Sequence, residues 1–500
     1  MKQARVLRGD WSTLSPPLVG AWTPTKSVSV VIPAYNCQAS LDLTLAALSR
    51  QTYPSDLLEV IVVDDGSQPA LLLPKIRPER TRIVAITEGW GIANAVHTGA
   101  QHATGEILHR LDADMVVFPR HVEALARWHH VTPDAVTLGY KRFVDEGWAT
   151  PDEIAQRCDD GTIGELFSAT SPHDYIERLI DTTNQLRGGD HLNFLAHVGA
   201  TVALHRDFYF STGGLSRDLA LGEDTEFGYR LAQAGAVFIP EAGAQSWHMG
   251  PSSMMRRGAE LRRFNHPHLA DLMPQPRWLR KGAGRVWQVP LVTAVVSGID
   301  RAAASFELVR TCVDRLLASD EHDLRVVLVG PWDTLTDVRR DVLADPLLDL
   351  RLIAATYRSE PRVRFAAEAP DTVFPSAYRL DVPADAGVGP GTVGLLVAEA
   401  DKAQAGLVQA GRLTLWRTAA VSRAARVRRP DESLVDAVTA VYGRHSVAAP
   451  EVADLAGLPP EKLTSPTRLA ASRTDVVVVA GARSLLKAAR LVARRTVRRD

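Results

Sequence analysis

Cysteine is scarce: Cys37, Cys158 and Cys312 are the only three in 500 residues. Three scattered thiols build neither a disulfide framework nor a cysteine-based zinc site, and they fit a reducing compartment. Long apolar runs are missing too. No stretch approaches the roughly 18 apolar residues of a bilayer-spanning helix, and the first twenty residues carry no apolar core of a secretory signal. A cytoplasmic location is therefore expected. Charge of one sign is not in excess: 57 Lys and Arg stand against 58 Asp and Glu, a net charge of -1, so no nucleic-acid partner is expected. Phosphate-cradling loops are also absent, with neither a Gly-x-Gly-x-x-Gly nor a Walker pattern. What is present, 46% hydrophobic and 23% charged residues, is ordinary globular material with length for roughly two to four domains.

The first half alternates short β-branched runs with helical spacing. Val28–Ile32, Leu58–Val63 and Arg82–Ile86 read as buried strands, and Leu41, Leu45 and Leu48 recur at helical intervals between the first two. Such alternation predicts a parallel, doubly wound α/β sheet, which binds ligands beyond the carboxyl ends of its strands. Acids stand at two of those ends. Asp64-Asp65-Gly66-Ser67 closes the second strand, and Asp112-Ala113-Asp114 follows the apolar run Glu106–Leu111. Hard oxygen donors so placed suit Mg²⁺ or Mn²⁺ carrying a diphosphate.

Four segments, VSVVIPAYN (28–36), LEVIVVDDGS (58–67), ATGEILHRLDADM (103–115) and GEDTEFGYRLAQAG (222–235), taken in order, resemble the family 2 glycosyltransferases. The resemblance implies a GT-A (nucleotide-diphospho-sugar transferase) fold and an inverting, metal-dependent transfer from a nucleotide-sugar donor. By that resemblance Pro33, Ala34 and Tyr35 line the base and ribose pocket. One of Asp64 and Asp65, with Asp65 favoured, accepts the N–H of a uracil-like base. Asp112 lies near ribose and metal, Asp114 ligates the metal directly, and His248 is the third ligand. Glu223-Asp224 is the catalytic pair, with Asp224 as general base. The chain departs from the family at Val96 and His97, where many members carry Arg-Asn. The polar stretch 181–187 is a candidate for acceptor contact. The Gln-x-x-Arg-Trp motif of processive synthases is missing.

The second half repeats the first in worn form. Val292–Asp300 aligns with Val28–Asn36, Leu324–Gly330 with Leu58–Asp64, and Tyr378–Asp381 with His109–Asp112. Gly330-Pro331 stands in place of Asp64-Asp65, Val382-Pro383 replaces Ala113-Asp114, and Glu223-Asp224 has no counterpart. The expected organisation is an irregular lead-in (1–25), a catalytic GT-A domain (26–273), a linker (274–290), a degenerate GT-A-like α/β domain (291–480) and a basic tail (481–500). Asp381 and Asp385 read as remnants. The tail, with seven Lys or Arg between 483 and 499, reads either as a helix on an anionic inner leaflet or as a solvated helix packed on the second domain.

The sequence thus predicts an inverting glycosyltransferase with a divalent metal cofactor. Its donor is a nucleotide-sugar, a UDP-sugar foremost. Its acceptor is a hydroxyl of a glycan, cell-wall polymer or lipid-linked molecule, and the second domain is a candidate homodimer surface. Two rivals are an inert sugar-binding scaffold and a nucleotidyltransferase on a similar sheet.

Overall fold

The computed structural model describes residues 4–145, 149–280, 284–300, 304–448, 452–458 and 460–463. The basic tail and the end of the expected second domain lie outside the described residues.

The first half runs β1 (Val28–Ala34), α1 (Gln38–Leu48), β2 (Leu58–Asp64), β3 (Thr81–Ala85), α2 (Ile92–His102), β4 (Ile107–Leu111), β5 (Met115–Val117), α3 (His121–His129) and β6 (Ala135–Gly139). It continues through β7 (Arg142–Val144), α4 (Pro151–Asp159), β8 (Thr170–Pro172), α5 (Asp174–Thr182), β9 (Thr201–His205), α6 (Arg206–Ser211), α7 (Glu223–Gln233), β10 (Val237–Glu241), β11 (Ser246–Met249) and α8 (Ser253–Leu272). Seven of these strands form one sheet in the order β10-β6-β9-β4-β1-β2-β3. The central strands are buried except at Pro33 near the end of β1, as strands covered by helices on both faces must be.

The expected parallel sheet is in fact mixed, because β9 runs antiparallel to both β4 and β6. The reason lies in the connection. The chain leaves β6 at the carboxyl end of the sheet, builds the segment 140–200 there, and re-enters at that same end, so β9 has to run backwards. That detour also builds a second, small sheet in the order β5-β11-β7-β8, which short polar strands such as Arg142–Val144 had not announced. The candidate acceptor stretch 181–187 closes α5 and turns back on the lead-in, with the Gln185 carbonyl accepting from Trp11 Nε1 at 2.7 Å.

The second half runs β12 (Val292–Ser297), α9 (Phe306–Leu317), β13 (Leu324–Val329), α10 (Leu348–Tyr357), β14 (Val363–Ala366), β15 (Tyr378–Pro383), β16 (Ala386–Gly387), α11 (Thr392–Ala403), β17 (Leu407–Ala410), β18 (Leu413–Arg417), α12 (Thr418–Val427), α13 (Leu434–Tyr442) and β19 (Arg444–Ser446). Its sheet has the order β14-β13-β12-β15-β18-β17-β19. Read from the other edge, this is the first sheet strand for strand. β15 pairs parallel with β12 as β4 does with β1, and β18 runs antiparallel to both neighbours as β9 does. β19 lies parallel to β17 as β10 does to β6.

The lead-in, irregular as expected, acts as a strap between the halves. Val6, Trp11 and Leu14 pack with Trp128, Ala135, Val237 and Ile239 of the first half. On the other side Arg5 is ion-paired with Glu432, and Arg8 donates to the Ala403 carbonyl. Buried Arg423 of α12 completes the junction by donating to the carbonyls of Gly235 (2.9 Å) and Ala236 (2.6 Å).

Candidate functional site

The carboxyl ends of β1, β2 and β4 open on one crevice, and the turns that follow are held by local hydrogen bonds. At the end of β2, Asp64 and Asp65 have different environments. Asp64 is buried and turned inward, its carboxylate accepting from the backbone of Ser67 (2.8 Å) and Leu71 (3.1 Å). Asp65 is half-buried, and its Oδ2 accepts from Gly91 N–H at 2.8 Å. Asp64 therefore shapes the turn, while Asp65 keeps acceptor capacity. Nearby, Tyr35 is 61% exposed, whereas the Ala34 side chain is buried in the core. Ala34 offers the crevice backbone only. Val96 is buried and His97 bonds Tyr209 Oη at 3.2 Å, so neither extends α2 toward the crevice with a cation.

The Asp112-Ala113-Asp114 turn is pinned from three sides. Asp112 N–H donates to Ala200, the Ala113 carbonyl accepts from Thr44 Oγ1, and the Asp114 carbonyl accepts from Met249 N–H. The last bond belongs to β11, which pairs with β5 and brings His248 beside the turn, with Nε2 3.8 Å from Asp114 Oδ1. His248 Nδ1 faces the Gly250 carbonyl at 3.1 Å. A proton on Nδ1 leaves the Nε2 lone pair toward Asp114, the arrangement that fixes a metal-binding tautomer. Oδ1 of both Asp112 and Asp114 is buried without a hydrogen-bond partner. Burial, with Asp112 nearby, pushes the Asp114 carboxyl upward. Among the described residues no group of three or more His, Cys, Asp or Glu is gathered to hold a metal by itself. A two- or three-donor protein site completed by substrate phosphate oxygens and water is the usual form for Mg²⁺, and these donors fit it.

Across the crevice α7 begins with the other acids. Gly222 takes the left-handed conformation (φ +80°) and starts the helix, so Glu223 and Asp224 fall in its first turn, where the helix dipole favours anions. Glu223 is buried and paired with Arg110 of β4, Nη2 to Oε1 at 3.2 Å. Burial, then the neighbouring Asp224, push the Glu223 carboxyl up to about 7. Asp224 stays accessible. Its Oδ1 accepts from Thr225 N–H at 2.7 Å, and its Oδ2 has only a 3.3 Å contact from Gly199 N–H.

Arg110 links the two acid groups, since the same Nη2 lies 3.7 Å from Asp112 Oδ1. Its guanidinium lies against Gly199, where an added Cβ would come within 2.0 Å of Cζ. Lys141, at the start of β7, is also buried, and it lies in the electrostatic field of Asp112, Asp224 and Asp114. Burial pulls its ammonium down to about 8 against the attraction of those acids.

Neither Arg110 nor Lys141 was among the residues expected from sequence. Arg110 carried a signal: a cation inside an apolar strand run has to be paired. Lys141 carried none, because only the small sheet turns it inward. Residues that were expected converge in two groups: Asp112, Asp114 and His248 on one side, and Glu223 and Asp224 on the other, bridged by Arg110. Pro33, Tyr35 and Asp65 lie at the ends of β1 and β2. In the second half Asp381 is held by Arg379 (2.6 Å) and Trp416 Nε1 (2.8 Å), and Asp385 by Arg412 (2.7 Å). Both carboxylates are consumed by the fold.

Residues 29–197 match the glycosyl transferase family 2 model. The chain is 26% identical over 364 residues to a chondroitin synthase of Escherichia coli, covering 68% of this chain and 50% of that protein. It is 29% identical over 251 residues to a validoxylamine A glucosyltransferase of Streptomyces hygroscopicus subsp. limoneus, covering 46% and 53%. The chain thus spans about half the length of these curated relatives. A solved mannosyltransferase from Pyrobaculum calidifontis, in complex with GDP-Man and Mn²⁺, covers 55% of this chain and 70% of its own at 19% identity, with a TM-score of 0.33, too loose a likeness to transfer geometry. Residues 29–197 of the first half, with its ordered motifs and mixed seven-stranded α/β sheet, are thus similar to the family 2 glycosyltransferases.

Proposed function

We propose that residues 26–273 transfer a sugar, with inversion, from a nucleotide-sugar to a hydroxyl of a glycan, cell-wall polymer or lipid-linked acceptor. The observation that carries this reading is the facing of two acid groups across one crevice. Asp114 with His248 suits a diphosphate-bound cation, and Asp224 keeps a loosely held oxygen. Tyr35 and Pro33 cover the base and ribose, and Asp65 accepts the base N–H, which favours a uracil nucleotide. A Mn²⁺ or Mg²⁺ ion at Asp114 and His248, its shell completed by substrate oxygens and water, would supply Lewis-acid charge to the leaving diphosphate, whereas Asp112 is not gathered with them into a three-residue site. Asp224 Oδ2 takes the acceptor hydroxyl proton. Glu223 acts by holding Arg110, and Arg110 orients Asp112.

The second half, on this reading, is a degenerate GT-A-like domain (291–480) that holds the acceptor, shapes the cleft or pairs two copies. The free thiols support a cytoplasmic site for the reaction, and no helix among the described residues is long and apolar enough to cross a membrane. Contact with the inner leaflet through the basic tail remains part of the proposal.

Calorimetric titration of UDP and of GDP, each with Mn²⁺ and with EDTA, into wild type and Asp114→Ala tests the donor site. Metal-dependent UDP binding that Asp114→Ala abolishes is the expected result. GDP binding in its place would overturn the donor assignment. Binding of neither nucleotide by folded wild type would favour the inert scaffold.

A further inference from the structure

The small sheet carries a second polar group that the reading above leaves unused. In the β11–β7 register His248 stands opposite Phe143, and their rings lie 4.8 Å apart. Lys141 precedes Phe143 by two residues, so the strand's period of two turns it to the same face. On the other side β7 pairs antiparallel with β8, Arg142 opposite Pro172. One further step of that register sets His173 opposite Lys141, and the His173 ring meets Phe143 edge-on at 5.5 Å. His248, Phe143, Lys141 and His173 thus form one row leading away from Asp114.

Among the described residues, two members of this row have no hydrogen-bond partner for the side-chain atom in question. Lys141 is 6% exposed and makes no hydrogen bond or ion pair within 4.0 Å to a described residue. His173 Nδ1 is buried without a hydrogen-bond partner. A buried ammonium is costly unless an anion meets it. Here Asp112, Asp224 and Asp114 act on it electrostatically and none bonds it. The other buried cation at the site, Arg110, bonds Glu223 through Nη2, while its Nε and Nη1 have no partner among the described residues. An ammonium in the field of these acids and bonded to none of them is free to meet an anionic atom that arrives with the substrate.

We propose that Lys141, backed by His173, contacts the diphosphate of the nucleotide-sugar donor and shares the leaving group's charge with the cation held at Asp114. This rests on the donor reading above. In the transfer, the bond from acceptor oxygen to anomeric carbon forms as the bond from anomeric carbon to phosphate oxygen breaks. The hydroxyl proton goes to Asp224, and the bonding electron pair leaves with the diphosphate. Lys141 donates a charge-assisted hydrogen bond to that phosphate and keeps its proton.

The test is calorimetry of UDP with Mn²⁺, of uridine, and of Mn²⁺ alone, into wild type, Lys141→Met and Lys141→Arg, with thermal unfolding as the check on folding. Lys141→Met should weaken UDP roughly 10- to 100-fold. Uridine binding should be unchanged, Mn²⁺ alone bound as well or better, and Lys141→Arg should restore most of the UDP affinity. UDP affinity unchanged in Lys141→Met would overturn the proposal, as would an equal loss for uridine, which marks a collapsed pocket, or a loss confined to the acceptor KM. Should Lys141→Met not fold, Lys141→Gln gives the same comparison. Wild type that binds neither UDP nor GDP would instead defeat the donor reading, and Lys141's role with it.

Discussion

Two seven-stranded sheets in this chain share strand order and every parallel or antiparallel pairing, and they differ in what stands at their strand ends. The first has Asp64-Asp65 after its second strand where the second has Gly330-Pro331. The first places Asp112 and Asp114 beside His248, whereas the second ties Asp381 to Arg379 and Trp416. The larger difference lies outside both sheets. The first half builds the four-stranded β5-β11-β7-β8 sheet at its carboxyl edge, and that sheet supplies His248, Lys141 and the clamp on Asp114. In the second half the segment that carries β7 and β8 is replaced by a turn of two residues between β17 and β18, and the counterpart of the β5–β11 pair is the short antiparallel pair of β16 with Ala453–Asp454. The comparison teaches that the common scaffold is independent of the chemistry. Apolar strands and helix packing preserve topology after the acids have gone, because topology depends on burial while a site depends on particular atoms.

The sharpest way to break this comparison is to remove acids from the strand ends of each half. Asp114→Ala or Asp224→Asn should lower sugar transfer about a thousandfold or more, while Asp381→Asn should leave it within about twofold, measured as kcat/KM. Equal losses from Asp114→Ala and Asp381→Asn would mean that the second sheet is not inert. A smaller effect is expected at Gly199. A Cβ there must displace the Arg110 guanidinium and with it the links to Glu223 and Asp112. Gly199→Ala should cost about 2–4 kcal/mol in chemical denaturation, in the range of overpacked or broken buried sites, and tenfold or more in kcat.

The smallest effect concerns acid. His109, His121 and His129 are buried in the first half, and burial holds their pKa values down, His121 to about 4. The unfolded chain takes up those protons near pH 6.5, so below that value it binds more protons than the folded one. Stability of the first half should therefore be full above about pH 6.5 and fall as pH drops toward 4. The second half has only His322 and His445, neither of them buried. Hydrogen exchange at pH 5 should open β4 and β6 before β12 and β15. The reverse order would defeat this account.

By itself the sequence determined the leading strands of both sheets, the repeat that relates them, and the acids that end those of the first. Apolar runs such as Val28–Ile32 and Leu58–Val63 bury on two faces, and Asp-x-Asp after such a run emerges at a strand end. Only tertiary structure separated Asp64, which braces its own turn, from Asp65, which keeps acceptor capacity. Only tertiary structure brought Arg110 between Glu223 and Asp112, reversed β9, turned Lys141 inward on a polar strand, and made the lead-in a strap. Local patterning reports which side chains must leave water. Which polar atoms then meet is decided by residues far apart in sequence, as at Arg110 and Glu223, whose pairing spans 113 positions.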